Sequence, residues 1–319
     1  MDILMLVLGL ALLIKGSDWF VDGASDIAKM FKIPSLVIGL TIVAFGTSAP
    51  EAAVSISASL KGSADIALGN VIGSNIFNLL AVVGVSACIK KLSVEKEVIS
   101  RDYPFNILAT IAAIICCLDI FADKASAITV SRTDGMLLLC LFAVFMFYTI
   151  SGALSQRKNM EKEDPSHSFP ISLVMLIGGI ICVVLGGKFT VDGASNIAKS
   201  LGVSENMIAL TIVAIGTSLP ELVTSVTALR KGESDIAIGN VIGSNIFNLL
   251  FIVGLSAAIS PLSADSTAFT DSLILLAINM IVYGFALKNK SFAKASGGFM
   301  VALYVLFAVY VVLRGINII

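Results

Sequence analysis

The hydrophobic positions of this chain fall into ten long runs separated by short polar or glycine-containing breaks. Each run is close to the length of about 20 residues that a helix needs to cross the hydrocarbon core of a bilayer. The breaks contain Gly, Pro, Lys or Asp, which end helices or begin turns. The pattern predicts an all-α polytopic membrane protein. The predicted helices cover residues 2–28, 34–60, 64–88, 103–121, 133–154, 171–198, 203–229, 234–258, 268–287 and 296–314.

The first five helices and the last five are two copies of one unit. Residues 41–80 align without a gap with residues 211–250, and 28 of these 40 positions are identical. An odd number of helices in each copy makes the second copy enter the membrane from the opposite side. We therefore expect two inverted five-helix repeats, residues 1–155 and 171–319, joined by a polar linker at residues 156–170.

Composition agrees with a membrane protein and excludes several other classes. Hydrophobic residues make up 57% of the chain and charged residues 13%, about half of the charged fraction of a soluble domain. The formal net charge is −1 and the basic residues form no patch, so a nucleic-acid partner is not expected. The five cysteines lack the spacing of a zinc site or of a disulfide framework. The single histidine, His167, is expected to be solvated within the linker.

Lysine and arginine predict the orientation. If the N-terminus is outside, fourteen of the 21 basic residues fall in inner segments, five in outer segments and two within helices. The positive-inside rule then places both termini outside and the linker in the cytoplasm of a multi-pass protein of the cell membrane. The inner residues are Lys29, Lys32, Lys90, Lys91, Lys96, Arg101, Arg157, Lys158, Lys162, Arg230, Lys231, Lys288, Lys290 and Lys294, and the outer ones are Lys61, Lys124, Arg132, Lys199 and Arg314.

Polar residues mark one helix pair in each repeat. Glu51 and Glu221 fall near the middle of predicted membrane helices, where an uncompensated carboxylate costs at least about 2.5–3.5 kcal/mol. Other polar residues continue the face of each glutamate at helical spacing, and the following helix in each repeat has a matching polar face. We expect these four stripes to face one another around a central site. Their members are Thr47, Glu51, Ser55, Asn70, Ser74 and Asn78, with Thr217, Glu221, Ser225, Asn240, Ser244 and Asn248 in the second repeat.

Helix breakers accompany the stripes at matching positions. Pro50 and Pro220 each remove a backbone donor and free the carbonyl four residues earlier. Interrupted helices at corresponding positions of inverted halves are typical of the binding site of a transporter. The available ligands are carboxylate, hydroxyl, amide and carbonyl oxygens, which suit sodium, calcium or magnesium. Calcium accepts a flexible dehydrated cage more readily than magnesium, and two carboxylates neutralise one divalent ion.

Two motifs carry a resemblance to a known family. Gly46-Thr47-Ser48-Ala49-Pro50-Glu51 and Gly216-Thr217-Ser218-Leu219-Pro220-Glu221 are each followed by Gly-Asn-Val-Ile-Gly-Ser-Asn, at residues 69–75 and 239–245. These motifs resemble the paired alpha-repeats of the cation/calcium exchanger superfamily. The chain looks most like the prokaryotic sodium/calcium exchangers, which have ten helices.

The resemblance implies roles for individual residues. Glu51 and Glu221 would be the principal calcium ligands and would also contribute to the sodium sites. Thr47 and Thr217 would add carbonyl oxygens, Ser48 and Ser218 would line the sodium sites, Ser74 and Ser244 would supply hydroxyls, and Asn78 and Asn248 would complete the centre. The amide at position 248 argues against potassium dependence. The first and sixth helices would slide as a gate across the others.

The expected function is therefore secondary active antiport of calcium for sodium by alternating access. Proton/calcium antiport, or antiport of another divalent cation by the same fold, is an alternative, and a passive cation channel is a less favoured one. The stripes contain no pair of nucleophile and base and no histidine, so an enzyme is not expected. The expected partners are the lipid bilayer and the two transported ions, with no cofactor and no obligate protein partner.

Overall fold

The membrane helices account for most of the protein. The computed structural model describes residues 1–117, 128–157, 163–203, 208–264, 266–315 and 318. Within these residues nine helices are long and apolar enough to span a membrane, and a bent pair forms a tenth span. We number them α1 Asp2–Phe31, α2 Ser35–Thr47 with Ala49–Leu60, α3 Ala64–Ile89, α4 Val98–Cys116, α5 Arg132–Gln156, α6 Phe169–Ser200, α7 Thr211–Arg230, α8 Ser234–Ile259, α9 Thr267–Asn289 and α10 Lys294–Gly315.

The predicted helices coincide with these spans, with differences at a few boundaries. Helix α4 begins at Val98, before the predicted start at residue 103, and ends at Cys116. The remainder of that prediction, residues 118–121, and the start of the seventh predicted helix, residues 204–207, lie outside the described residues. The second predicted helix, 34–60, is bent by 51° after Thr47.

Helices α3 and α8 form the centre of the molecule. In the most apolar stretch of α8, 94% of the residues are buried inside the protein, and in that of α3, 78% are. The corresponding share is 17% in both α5 and α10, whose apolar side chains therefore face lipid. The centre of the fold thus consists of the two helices that follow the glutamate helices in each repeat.

Helices α1 and α6 pack against each other in antiparallel orientation along two series of glycines. A side chain at any of these glycines would have its Cβ 2.5–2.7 Å from an atom of the facing helix. Within each helix the glycines are seven residues apart, so they lie on one stripe and allow close backbone contact along the whole interface. The glycines are Gly9, Gly16 and Gly23 in α1 and Gly179, Gly186 and Gly193 in α6.

Among the described residues, two short antiparallel ladders join the repeats outside the helices, and the sequence did not predict them. β1 (Leu92–Ser93) pairs with β4 (Ser291–Phe292), and β2 (Ile128–Val130) pairs with β3 (Leu262–Ala264). Each ladder takes one strand from each half of the chain. The two halves are therefore interlocked in the connecting segments as well as in the membrane.

The described end of the linker is held against α1, and the histidine that was expected to be solvated is partly exposed there. The Asp26 carboxylate accepts hydrogen bonds from the backbone amides of Ser166, at 2.7 Å, and of His167, at 3.1 Å. The His167 Nδ1 atom lies 2.8 Å from the same carboxylate, and the His167 side chain keeps 39% of its exposure. Sequence pattern alone did not indicate this contact because Asp26 lies within a helix 140 positions away.

Candidate functional site

Two helix breaks position the glutamates. Between the two parts of α2, Ser48 has φ −83° and ψ 9°, and the helix resumes at Ala49 with proline in its first turn. Ser218 has nearly the same conformation in α7, at φ −94° and ψ 8°, and the helix resumes at Leu219. Each glutamate consequently lies in the first turn of a half-helix, where the helix dipole favours negative charge.

Each carboxylate is held by the other repeat. The Ser48 hydroxyl donates to Glu221 Oε1 at 2.8 Å, and the Ser218 hydroxyl lies 3.0 Å from Glu51 Oε1. Ser218 Oγ also lies 3.0 Å from Ser74 Oγ. Because a hydroxyl has one proton, Ser218 donates to one neighbour and can accept from Ser74. Both glutamate side chains have no exposure to the surface.

A second layer of amides ties the glutamate helices to the central helices. Asn70 donates to the Ser55 hydroxyl at 2.9 Å and to the backbone carbonyl of Glu51 at 3.3 Å. Asn240 repeats these contacts with Ser225 at 2.9 Å and with the carbonyl of Glu221 at 3.4 Å. The polar faces predicted for α2, α3, α7 and α8 therefore meet at the centre.

Four asparagines from α3 and α8 form a buried group beside the glutamates. Asn78 Nδ2 donates to Asn245 Oδ1 at 3.1 Å, and Asn248 Nδ2 donates to Asn75 Oδ1 at 3.0 Å. Asn75 Nδ2 donates to the backbone carbonyl of Asn245 at 3.1 Å. All four side chains have no exposure. Asn75 and Asn245 belong to the motifs noted in the sequence but were not among the predicted ligands.

Four buried carboxylate and amide oxygens at the centre have no hydrogen-bond partner among the described residues, and neither has the Thr217 hydroxyl. The four are one carboxylate oxygen of each glutamate and the amide oxygens of Asn78 and Asn248, and the two repeats contribute equivalent pairs. Buried oxygens in proteins nearly always have a partner, since leaving one without a partner costs about 1–3 kcal/mol. Their chemistry, two charged and two neutral hard oxygens, is suited to binding sodium or calcium. The atoms are Glu51 Oε2, Glu221 Oε2, Asn78 Oδ1 and Asn248 Oδ1.

The other predicted ligands lie around this centre with different contacts. The Thr47 hydroxyl lies 3.0 Å from Asn240 Oδ1, and the Ser244 hydroxyl donates to the backbone carbonyl of Ala44 at 3.3 Å. Ser48, Ser74 and Ser218 are buried beside the glutamates, and Thr217 is 9% exposed. Among the described residues, no three His, Cys, Asp or Glu side chains come together in a metal-binding group.

A cavity of about 480 Å³ reaches the centre from one side of the molecule. Its wall includes Asp65 at the start of α3 and Arg314 at the end of α10, and deeper in it lie Asn70, Ser74 and Thr217. All of these elements begin or end at the same face of the molecule. The cavity therefore connects this face with the polar centre.

The equivalent path from the other face is filled by protein. Gly239 and Gly243 of α8 pack against the first part of α2, and a Cβ at Gly239 would lie 2.8 Å from the Leu36 carbonyl oxygen. Their counterparts in α3, Gly69 and Gly73, have no atom of the described residues within 4 Å of a Cβ. The two repeats thus adopt different packing around equivalent residues, open on one face and closed on the other.

Inverted halves, matching helix breaks and buried carboxylates at those breaks are the architecture of a secondary transporter. The model of the sodium/calcium exchanger protein family matches residues 1–151 and 171–313. The chain belongs to this family.

Individual relatives are similar to this chain over nearly its whole length. The sodium/calcium exchanger MaX1 of Methanosarcina acetivorans is 34% identical, with 97% of each chain covered. The inner membrane protein YrbG of Escherichia coli (strain K12) is 33% identical, covering 95% of this chain and 96% of its own. The solved structure of the sodium-calcium exchanger NCX_Mj, soaked with 2.5 mM Na⁺ and 0.1 mM Ca²⁺, is 35% identical, with 96% of each chain covered and a TM-score of 0.82. The predicted fold of ten helices in two inverted repeats is confirmed.

Proposed function

We propose that this antiporter exchanges Ca²⁺ for Na⁺ at the buried centre between its two repeats. The observation that carries the proposal is the set of four unpartnered oxygens, two from each repeat. Cations bound at this centre would supply the partners that these oxygens lack. The proposed ligands are Glu51, Glu221, Thr47, Thr217, Ser48, Ser218, Ser74, Ser244, Asn78 and Asn248.

Charge explains why the two ions would alternate. Two carboxylates compensate one Ca²⁺, and in a buried site of low effective dielectric an uncompensated charge is costly. The same two carboxylates cannot also compensate several Na⁺ ions. Occupancy by one kind of cation therefore weakens binding of the other, and this linkage is reciprocal. Competition for shared ligands is the physical basis of exchange in this proposal.

The one-sided cavity supports alternating access over a continuous pore. The charge bias of the loops favours external termini and a cytoplasmic linker at residues 156–170, between repeats at 1–155 and 171–319. In that orientation the cavity beside Asp65 and Arg314 faces outward and the packed side faces the cytoplasm. Interchanging the packing of the two repeats would close the outer path and open the inner one. One chain supplies both carboxylates, so the proposed exchange requires no second protein. Moving ions between the two faces of the membrane changes no covalent bond, so the proposal involves no chemical catalysis.

Calcium uptake into proteoliposomes tests the proposal. Uptake driven by an outward sodium gradient should fall by about a hundredfold or more in Glu51→Gln and in Glu221→Gln, because each change leaves a buried divalent ion undercompensated. Glu97→Gln, a change at an exposed carboxylate that directly precedes α4, is the matched control and should exchange normally. Near-normal uptake in either site variant would refute the site.

The same vesicles distinguish the alternative coupling ions. Raising sodium on the calcium side should weaken apparent calcium binding to the wild-type protein. Uptake driven by a proton gradient and indifferent to sodium would replace the proposed coupling ion with protons. Calcium flux without any counter-ion gradient would indicate a channel.

A further inference from the structure

Asn75 and Asn245 touch the candidate ligands without presenting an unpartnered oxygen themselves. Asn75 Oδ1 accepts the amide hydrogen of Asn248 at 3.0 Å, and Asn245 Oδ1 accepts that of Asn78 at 3.1 Å. In both pairs the partner's own amide oxygen is the atom left without a hydrogen bond. We propose that Asn75 and Asn245 are positioning residues that keep the amide oxygens of Asn248 and Asn78 turned toward the bound cation. The inference rests on the proposed site.

The need for positioning follows from the shape of the asparagine side chain. An amide has an oxygen on one side and a nitrogen on the other, and rotation about its terminal bond exchanges them. The oxygen attracts a cation, whereas the NH₂ group repels it. A neighbouring acceptor that takes the NH₂ hydrogen fixes the choice, because the oxygen must then point the other way. Each positioning residue supplies such an acceptor from the opposite repeat.

The amide of the positioning residue is fixed in one pair, Asn75 with Asn248, and not in the other, Asn245 with Asn78. Asn75 has a second contact, from its Nδ2 to the backbone carbonyl of Asn245 at 3.1 Å. A carbonyl oxygen can only accept, so this bond fixes which end of the Asn75 amide faces Asn248. Asn245 Nδ2 has no hydrogen-bond partner in the described part of the chain, and no comparable bond there fixes the Asn245 amide. The orientation of Asn248 is therefore determined by a chain of two hydrogen bonds that ends on the backbone, and the Asn75 arm provides the stronger test.

A double-mutant cycle separates positioning from general structural support. Calcium affinity, measured by titration of the purified protein, should fall about threefold to tenfold in Asn75→Ala, the range expected for one orienting hydrogen bond. The calcium affinity of Asn248→Ala should fall by at least as much. If Asn75 acts through Asn248, the double variant should be no weaker than Asn248→Ala alone. Additive losses in the double variant would overturn the proposal.

Asn106 provides a matched control. It is equally buried and its Nδ2 donates across the repeats to Asn279 Oδ1 at 2.7 Å, on helices α4 and α9. Asn106→Ala should leave calcium affinity unchanged. A loss equal to that of Asn75→Ala would show that any buried interhelical asparagine has this effect, and would overturn the proposal.

A second variant guards against misfolding and separates this inference from the proposed function. Asn75→Asp keeps an acceptor oxygen for Asn248 but loses the donor to the Asn245 carbonyl, so its calcium affinity should fall less than that of Asn75→Ala. A loss as large as that of Asn75→Ala would contradict the positioning role. Glu51→Gln and Glu221→Gln, titrated in parallel, test the site itself. Normal calcium binding in those two variants would refute the proposed site. If the glutamate variants lose calcium binding but the losses in Asn75→Ala and Asn248→Ala add up in the double variant, only the positioning role is refuted.

Discussion

The two glutamates at the centre, like Asn78 and Asn248, each combine a polar atom that is already bonded with one that has no partner among the described residues. Glu51 and Glu221 each use one carboxylate oxygen to accept from a serine of the other repeat and leave the second oxygen unpartnered. Burial of a carboxylate in this way is unfavourable unless a cation or several donors compensate it. The first-turn position at a helix break supplies part of that compensation through the helix dipole.

Asn248 offers a test of the neutral ligands at the centre. Asn248→Asp would add a titratable group beside two carboxylates, in place of an amide oxygen that has no partner. Deprotonation at higher pH adds negative charge, so calcium binding should become tighter as pH rises, by up to about tenfold per pH unit while the group titrates. Calcium titrations from pH 6 to pH 9 would measure the slope against that of the wild-type protein.

The control for this change is Asn279→Asp. Asn279 is as buried as Asn248, but it lies in α9 and bonds to Asn106 and Thr110. Its substitution should leave the pH profile of calcium binding unchanged. Equal pH profiles for Asn248→Asp and the wild-type protein would argue against an ion ligand at position 248.

Much of the centre was predictable at the residue scale because the repeat doubles every signal. One glutamate in an apolar run is ambiguous, but Glu51 and Glu221 at a constant offset, each beside Gly, Pro, Thr and Ser, indicate a shared site. The contacts among Asn75, Asn78, Asn245 and Asn248 were not predictable. They depend on which end of each amide faces its neighbour, and a sequence does not contain that information.

Helix geometry departs from a regular α-helix at the elements that build the centre. π-helical turns occur at Gly39–Val43 and Ala209–Val213, before the two breaks, and at Asn78–Val82 and Phe247–Ile252 in α3 and α8. Such turns are often found at functional sites. The prolines predicted the breaks in α2 and α7, but no residue type marks a π-turn, so the sequence did not predict these turns.

Glycine spacing in α6 gives a prediction at the element scale. Gly179→Ala would place a methyl group 2.5 Å from the backbone nitrogen of Phe20 in α1, whereas the adjacent Gly178 has no atom within 4 Å of a Cβ. Backbone atoms cannot move aside without separating the two helices. We expect Gly179→Ala to cost about 1–3 kcal/mol in stability and Gly178→Ala to be neutral or slightly stabilising, because alanine favours helix.

Thermal unfolding of the two purified variants measures this difference. The changes are chemically identical and lie one position apart in the same helix, so helix propensity and expression effects are matched. Equal melting temperatures would show that the contact between α1 and α6 can relax, and the glycine stripe would then not be needed for close packing.

At the scale of the whole molecule, the orientation of the chain can be tested at the linker. Ser166 is exposed, and only its backbone amide contacts Asp26. In a variant whose five native cysteines are replaced, Ser166→Cys should resist an impermeant thiol reagent added outside intact cells, because the charge bias places the linker inside. Lys61→Cys, at the turn between α2 and α3, is the control and should react readily. The reverse pattern of labelling would invert the topology.

Interlocking of the two halves also has a consequence for the order of folding. The serine and glutamate contacts join residues 167 and 173 positions apart, and each β ladder needs one strand from each half. When the first five helices have entered the bilayer during synthesis, Glu51 therefore lacks Ser218, and strand β1 lacks β4. Long sequence separation makes such contacts late in folding. The first helices are inserted before the site is complete. For an interval, the polar residues of the first repeat therefore lie within the membrane without their partners from the second repeat.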